Sequence, residues 1–360
     1  MTHSEIFTYN KFTPPTPARP FTFAAVGLAH GHIYGMCQGL INAGAKMKYV
    51  YDSDSALVAA FVKKYPGVTV AKSESEVLAD AEVDLVASAD IPSLRAPLAV
   101  RVMENGKDFF VDKAPVISQA QLDTVRATAK ATGRKLFVYY SEFVSVEASI
   151  FAKQLIDRGV IGKVFSINIV APHKLSAASR PDWFFKRECT GGIITDIGSH
   201  QLQQFLAYSG AENAEINSAR VENYFAREWA SADEFDDFGD LTLTADNGIT
   251  GYIRIDWNSP AGIGTWGDVR ATILGERGYI ELRKNCNLGM EKVTNTVYVA
   301  TDDGVFTESV SGKVGIRYYS DIISDCITRN TTAMSEHMTY RAIELAMEAQ
   351  EMALAAKKKA

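Results

Sequence analysis

Cysteine is scarce in this chain and scattered where it occurs. Cys37, Cys189, Cys286 and Cys326 are spread over 360 residues with no C-x-x-C pair. That argues against a disulfide framework or a structural zinc site and for reduced thiols in a cytosolic protein. Long apolar runs are missing as well: none approaches the roughly 18–20 residues that cross a bilayer. The first residues, with Thr2, Ser4, Glu5 and Asn10, lack the apolar centre of a signal peptide. The expected location is the cytoplasm. Positive charge is also in short supply. Thirty-seven Lys and Arg against 43 Asp and Glu give a net charge of -6, and the only basic run is Lys357-Lys358-Lys359. Neither nucleic acid nor a membrane is expected as a partner.

Proline is uncommon but concentrated. Pro14, Pro15, Pro17 and Pro20 crowd into the first 20 residues, which are expected to form an extended, non-helical arm. Such an arm is either a disordered leader or a strap around a neighbouring subunit or a cofactor. The rest of the chain is rich in apolar residues, at 47% of the whole. Single cores stop growing at roughly 250–300 residues, so two domains are expected.

From Phe21 the rhythm is regular. Short apolar runs (Phe21–Val26, Met47–Tyr51, Val83–Ala87, Asp108–Val111, Leu136–Tyr140) alternate with helical stretches. Ser73-Glu74-Ser75-Glu76 has capping-box spacing, Pro92 opens a helix, and Gly133 stops one. This pattern predicts an α/β domain over 21–142, a doubly wound parallel sheet of Rossmann type. After Phe143 the rhythm breaks. A helix to about Asp157 and a strand at Val164–Val170 lead into a polar, aromatic loop, 171–190. A helix then runs to about Gly210. Seven strands follow between 216 and 309, separated by turns such as Asp246-Asn247-Gly248 and Asp302-Asp303-Gly304. Strands in series imply a large, mostly antiparallel open sheet in an α+β domain, 143–360, closed by helices near 316–328 and 337–356.

Two stretches carry chemistry. Gly191-Gly192-Ile193-Ile194-Thr195-Asp196-Ile197-Gly198-Ser199-His200 spaces a carboxylate and an imidazole to share one helix face. Its glycines leave the backbone bare for close approach. Gly27-Leu28-Ala29-His30-Gly31-His32 follows the first strand and opens a helix, the place where a dinucleotide pyrophosphate is held. Ala29 and His32 stand where the fingerprint has its second and third glycines, so a turn without ligand also explains it. Asp52 ends the second strand, where a carboxylate accepts from ribose hydroxyls. With no Arg or Lys in 53–55, NAD is preferred over NADP. His30 and His32 have no acidic or thiol partner at ligand spacing, so no metal is expected. Lys113, in Asp112-Lys113-Ala114-Pro115 after the fifth strand, is either near the nicotinamide end of a dinucleotide or a surface turn residue.

Taken in order, several stretches resemble the glucose–fructose oxidoreductase / inositol dehydrogenase (Gfo/Idh/MocA) family. They are Gly27 with Ala29, Asp84-Leu85-Val86, Gly106 before Asp112-Lys113, Gly159-Val160-Ile161-Gly162-Lys163-Val164, the double-glycine motif, and Gly275-Glu276-Arg277-Gly278-Tyr279-Ile280-Glu281-Leu282. The likeness runs from about 21 to 356. It implies an enzyme, a nicotinamide-dependent dehydrogenase or reductase acting on CH–OH groups of sugars, glycosides or cyclic polyols. Its substrate would be a small carbohydrate or polyol, and its assembly a homodimer or homotetramer through the C-terminal sheet. The family's catalytic lysine falls on Lys113, and its aspartate and histidine on Asp196 and His200. Expected cofactor contacts are Gly27, Leu28, Ala29, His30, His32, Asp52, Ser53, Ala89, Asp90, Asp112 and Lys113. Expected substrate contacts are Lys113, Lys174, Trp183, Arg187, Asp196 and His200.

The chain departs from the family pattern in four places. Proline comes one residue late after Lys113, so the cis peptide of a Lys-Pro motif is not required. Asp90-Ile91 replaces Thr-Pro, and Arg95 replaces a histidine. Tyr140-Ser141-Glu142-Phe143 replaces an Asn-Arg-Arg-Phe type of sequence. Two other functions fit the same residues: an NAD-dependent glycosidase using transient C3 oxidation, and a cofactor-binding protein without catalysis.

Overall fold

The computed structural model describes residues 1–290 and 293–358, which leaves Lys359 of the basic run outside the described residues. The chain divides into two units: residues 13–139 with 317–340, and residues 1–12 with 140–316 and 341 onward. This differs from the expected cuts at 20/21 and 142/143 in two segments, each for a packing reason. Residues 1–12 are not an extended arm. Thr2 caps a single turn, α1 (His3–Ile6), accepting from the Glu5 N–H. Ile6 and Phe7 are buried, Phe7 stacks on Phe151 at 5.7 Å, and the Phe12 N–H donates to Val314 O at 2.8 Å. Only the proline stretch stays extended, and a Cβ on Gly44 would come within 2.8 Å of the Pro17 ring.

The first unit holds the parallel sheet. Its elements run β1 (Thr22–Val26), α2 (His32–Asn42), β2 (Lys46–Tyr51), α3 (Ser55–Lys64), β3 (Thr69–Val70), α4 (Glu74–Ala79), β4 (Leu85–Ser88), α5 (Pro92–Glu104), β5 (Asp108–Asp112), α6 (Gln119–Thr132) and β6 (Leu136–Tyr139). The order across the sheet is β3-β2-β1-β4-β5-β6, every pair parallel. β5 is buried at every position, as a strand covered on both faces must be. β3, two exposed residues on the edge, is too short to leave a periodic signal. Ser73 accepts from the Glu76 N–H as its spacing predicts, and Gly133 ends α6 at φ 64°. The late helix Tyr318–Thr328 belongs here because it packs on α2. A Cβ on Gly39 would lie 2.1 Å from the Tyr319 ring, and the Tyr318 hydroxyl donates to Val138 O at 2.8 Å.

The second unit carries α7 (Ser141–Val144), α8 (Glu147–Asp157), β7 (Val164–Pro172), α9 (Arg187–Thr190) and α10 (Ser199–Ser209). Seven more strands follow: β8 (Ala214–Glu222), β9 (Phe238–Ala245), β10 (Thr250–Asp256), β11 (Arg270–Gly275), β12 (Gly278–Arg283), β13 (Thr296–Thr301) and β14 (Gly304–Ser309). Their order is β14-β13-β12-β11-β7-β10-β9-β8. β9 alternates half-buried and buried residues along its length, the signature of a sheet with one covered face. The sheet is antiparallel except at its centre, where β7 pairs with β10 in parallel. That pairing needs a long crossover, which residues 173–249 supply. Among the described residues no helix is long and apolar enough to cross a membrane.

Candidate active site

In the first unit the turn after β1 is built around Gly27. Its φ is +77°, and a Cβ there would come within 2.7 Å of the Asp90 side chain. Only glycine meets both demands. The Leu28 N–H donates to Asp52 Oδ2 at 2.7 Å, and the Asp54 N–H to Asp52 Oδ1 at 2.8 Å. Asp52 therefore ties the turn to the end of β2, half-buried, with exposed Ser53 beside it. Leu28 is buried, and Ala29, His30 and His32 are half-buried. The His30 N–H donates to the carbonyl of buried Ala89 at 2.8 Å. Gly31, the N-cap of α2, offers no side-chain cap; the first amides of the helix turn back on the loop, His32 N–H to His30 Nδ1 at 3.3 Å and Ile33 N–H to His30 O at 3.2 Å. Asp90 accepts from the Ile91 N–H at 2.7 Å. Burial, reinforced by the charge of Asp52, holds its carboxyl above the usual range.

Asp112 is not an exposed cofactor contact. It is 0% exposed, and its carboxylate is shared among four groups. His32 Nδ1 lies 2.8 Å away and His30 Nδ1 3.2 Å. Arg95 Nη2 is at 3.3 Å, and the Lys113 N–H donates at 2.8 Å. Burial pushes the carboxyl up, but His32, Arg95 and His30 together hold it well below the ordinary range. His30 is pushed down to about 4, by burial first and the neighbouring His32 second. The fold thus supplies from β5 the acidic partner that His30 and His32 lack in sequence; the ligand atoms of all three lie within 4.8 Å of one another. Arg95 already neutralises that carboxylate, and His30 Nδ1 already accepts from the His32 N–H at 3.3 Å. The cluster reads as a hydrogen-bonded hub with its cation in place. Lys113 is buried beside it, and the Lys113–Ala114 peptide is cis without a proline.

In the second unit the double-glycine motif is not one regular helix. A π turn, Ile194–Gly198, precedes α10, and such wide turns are frequent at functional sites. Asp196 is half-buried and lines a cavity with Phe184, Thr190, Phe235 and Trp257. His200, one turn on, is 2% exposed, with the Tyr140 ring edge-on at 6.3 Å. Gly191 caps α9 at φ +83°, and Gly192 serves packing. A Cβ on Gly192 would meet the Gln350 amide at 2.5 Å, and that amide accepts from the Ile194 N–H at 2.9 Å.

The loop 171–190 divides by side chain. Arg187 is not available to a substrate: it grips buried Asp236 at 2.9 Å and donates to Asp233 O. Lys174 and Trp183 stay half-buried. Arg180, not singled out from sequence, lies over the Phe184 ring at 4.3 Å and the Trp257 ring at 5.2 Å. Burial lowers its pKa, opposed by the charge of Asp196.

Sequence reasoning also missed the role of Glu142. This carboxylate, 3% exposed, receives His173 Nε2 at 3.1 Å and the Gln201 amide at 2.6 Å. Lys284, also buried, donates to Glu142 O at 3.2 Å and to Gln204 Oε1. Burial pushes the Glu142 carboxyl up, yet the charges of His200, His173 and Lys284 hold it far below the usual range. Lys284 is pushed down to about 8 by burial against the pull of Glu142. A signal was present: Gln201, Gln203 and Gln204, all 0% exposed, need a polar partner on the buried face of α10.

Residues 23–140 match a family model described as an oxidoreductase family with an NAD-binding Rossmann fold. Residues 150–281 match the GFO/IDH/MocA C-terminal domain. The chain is 23% identical over 201 residues to D-xylose dehydrogenase of Paenarthrobacter nicotinovorans, covering 54% of this chain and 49% of that one. It is 28% identical over 214 residues to scyllo-inositol 2-dehydrogenase (NAD(+)) of Bacillus subtilis strain 168, covering 57% and 56%. The matched region thus spans about half the length of these curated relatives. A candidate oxidoreductase from Erwinia carotovora atroseptica SCRI1043 superposes with TM-score 0.89 at 43% identity, over 92% of this chain and 98% of that one. Levoglucosan dehydrogenase with NADH and levoglucosan superposes with TM-score 0.79 over 94% and 98%; at 17% identity the likeness is one of fold.

Proposed function

The chain belongs to the GFO/IDH/MocA oxidoreductase family, and from that premise we propose that it is a nicotinamide-dependent dehydrogenase oxidising a hydroxyl of a sugar, glycoside or cyclic polyol. The observation that carries this reading is the wide turn that sets half-buried Asp196 one turn before buried His200, inside the stretch matched by the family's C-terminal domain.

The first unit fits a dinucleotide. The turn between β1 and α2, held in shape by Gly27 and by the Leu28–Asp52 bond, would lie against the pyrophosphate, and Asp52 would meet the adenosine ribose. When bound, nicotinamide supplies the hydride acceptor. His200 takes the hydroxyl proton; an imidazole's ordinary pKa, about 6.5, suits that task near neutrality. From the first unit, the Lys113 ammonium stabilises the growing alkoxide charge. Asp196 accepts from a neighbouring hydroxyl and orients the ring. The exposed aromatics on the second unit's sheet, Phe165 and Tyr279, support a homo-oligomer formed through that face.

A panel of sugars, glycosides and inositols with NAD and NADP, followed by reduced-nicotinamide absorbance, tests the reading. Turnover on at least one polyol is expected. Release of aglycone with no net NADH points instead to the glycosidase, and silence on the whole panel to a protein without catalysis. In a binding titration NAD should be favoured over NADP, since Asp52 repels a 2′-phosphate. A preference for NADP removes the argument from Asp52.

A further inference from the structure

Arg95 is the largest fully buried side chain of the described residues, 1% exposed, in a half of the protein whose function is to hold a cofactor. A buried guanidinium is costly unless each of its donors is used. Here they are used on two segments, chiefly the lysine loop. Nε donates to Asp90 O at 2.7 Å. Nη1 donates to Asp112 O at 3.2 Å, to Lys113 O and to Ala114 O at 3.0 Å. Nη2 donates to the Asp112 carboxylate at 3.3 Å. Three successive carbonyls of the lysine loop thus converge on one side chain from the first turns of α5. The same guanidinium reaches the 90–91 segment, whose Asp90 side chain packs on Gly27. Through Asp112 it reaches the two imidazoles of the phosphate turn.

We propose that Arg95 is a positioning residue that sets the place of Lys113, with Asp112 as the joint linking the lysine loop to the phosphate turn. Arginine can do this and lysine cannot. The guanidinium is planar, with five donors in a rigid fork, whereas an ammonium is a point with three. It also explains how this chain holds the lysine loop without a proline next to Lys113. The proposal rests on the reading of Lys113 as the group at the reacting oxygen.

The test is Arg95→Lys, with Arg95→His as a second variant and Lys113→Met as the baseline. Thermal unfolding first establishes that each variant folds. Displacing a reacting group by an ångström costs about 10²-fold in rate, so kcat of Arg95→Lys should fall by about that factor with KM and the NAD dissociation constant within about threefold. Lys113 labelling by an amine-selective reagent, read by mass spectrometry, should speed up by about fivefold or more as its loop loosens. A folded Arg95→Lys enzyme whose kcat and Lys113 labelling both match the wild type overturns the proposal. Altered labelling with unaltered kcat overturns it too, because Lys113 would then move without consequence. If the wild type turns over no polyol, the functional reading fails by itself. The labelling comparison then decides alone whether Arg95 holds Lys113.

Discussion

Replacing Lys113 by methionine is expected to lower turnover by about 10²–10⁴-fold, the usual span of a proton-handling group, while leaving NAD affinity nearly intact. Lys113 is 6% exposed, so the change is chemical more than superficial. Methionine fills a similar length without the charge, and the carbonyl grip of Arg95 acts on the backbone and survives the substitution. His200→Ala should cost a similar factor. That position is buried, so its unfolding temperature is measured beside its rate; a cavity lowers stability, whereas loss of a base lowers kcat at temperatures where the variant is folded. Steady-state kinetics on the best polyol, with NAD binding followed by fluorescence, separates these effects. Wild-type turnover in either folded variant removes that residue from the mechanism. A large loss of NAD affinity in Lys113→Met would make the lysine a cofactor anchor.

The architecture was legible because both sheets write their period plainly. β5, buried at every position, carries the apolar run Phe109-Phe110-Val111 between two aspartates, and β9 shows strict alternation of burial. What the periodicity could not carry is long-range exchange. Nothing local tells that Tyr319 docks over Gly39, or that Phe7 stacks on Phe151. The parallel pairing of β7 with β10 hides behind a crossover of ordinary-looking hairpin signals. At the site, motif spacing singled out Lys113, Asp196 and His200, the residues of the proposed mechanism, but not the packing of their neighbours. Asp112 looked like a ligand contact because it adjoins Lys113; burial and three basic partners make it a structural joint. Arg187 looked free because its partners, Asp236 and Asp233, lie far along the chain. Arg95 and Glu142 appeared only as departures from a family pattern. Each proves to be a buried charge set against opposite charge, Arg95 on Asp112 and Glu142 near His173 and Lys284, which composition and spacing cannot reveal.

Replacing Glu142 by glutamine is expected to destabilise the second unit by about 3–5 kcal/mol, the cost of breaking a buried charge pair by removing one member. For a unit of this size that is a fall of roughly 6–20 °C in unfolding temperature. Glutamine keeps the shape but carries no charge. With His173 Nδ1 facing Ala171 O at 2.9 Å, the new amide can donate to His173 Nε2 and still accept from the Gln201 amide. Lys284 loses its anion. The effect carries a pH signature whose sign is fixed. The folded Glu142 carboxyl is held below its unfolded value by His200, His173 and Lys284 against the push of burial. Its stabilisation is therefore complete above the ordinary carboxylate range, about 4.3, and is lost as pH falls through the depressed folded value. Thermal unfolding of wild type and Glu142→Gln from pH 7 down to about 3 should show a gap that is widest near neutrality and narrows in acid. A gap that stays constant with pH would mean that shape and hydrogen bonding, not the buried charge, hold this cluster together. No gap at all would mean that the four polar groups around Glu142 find other partners. Either result would remove the Glu142 charge as the source of this cluster's stability.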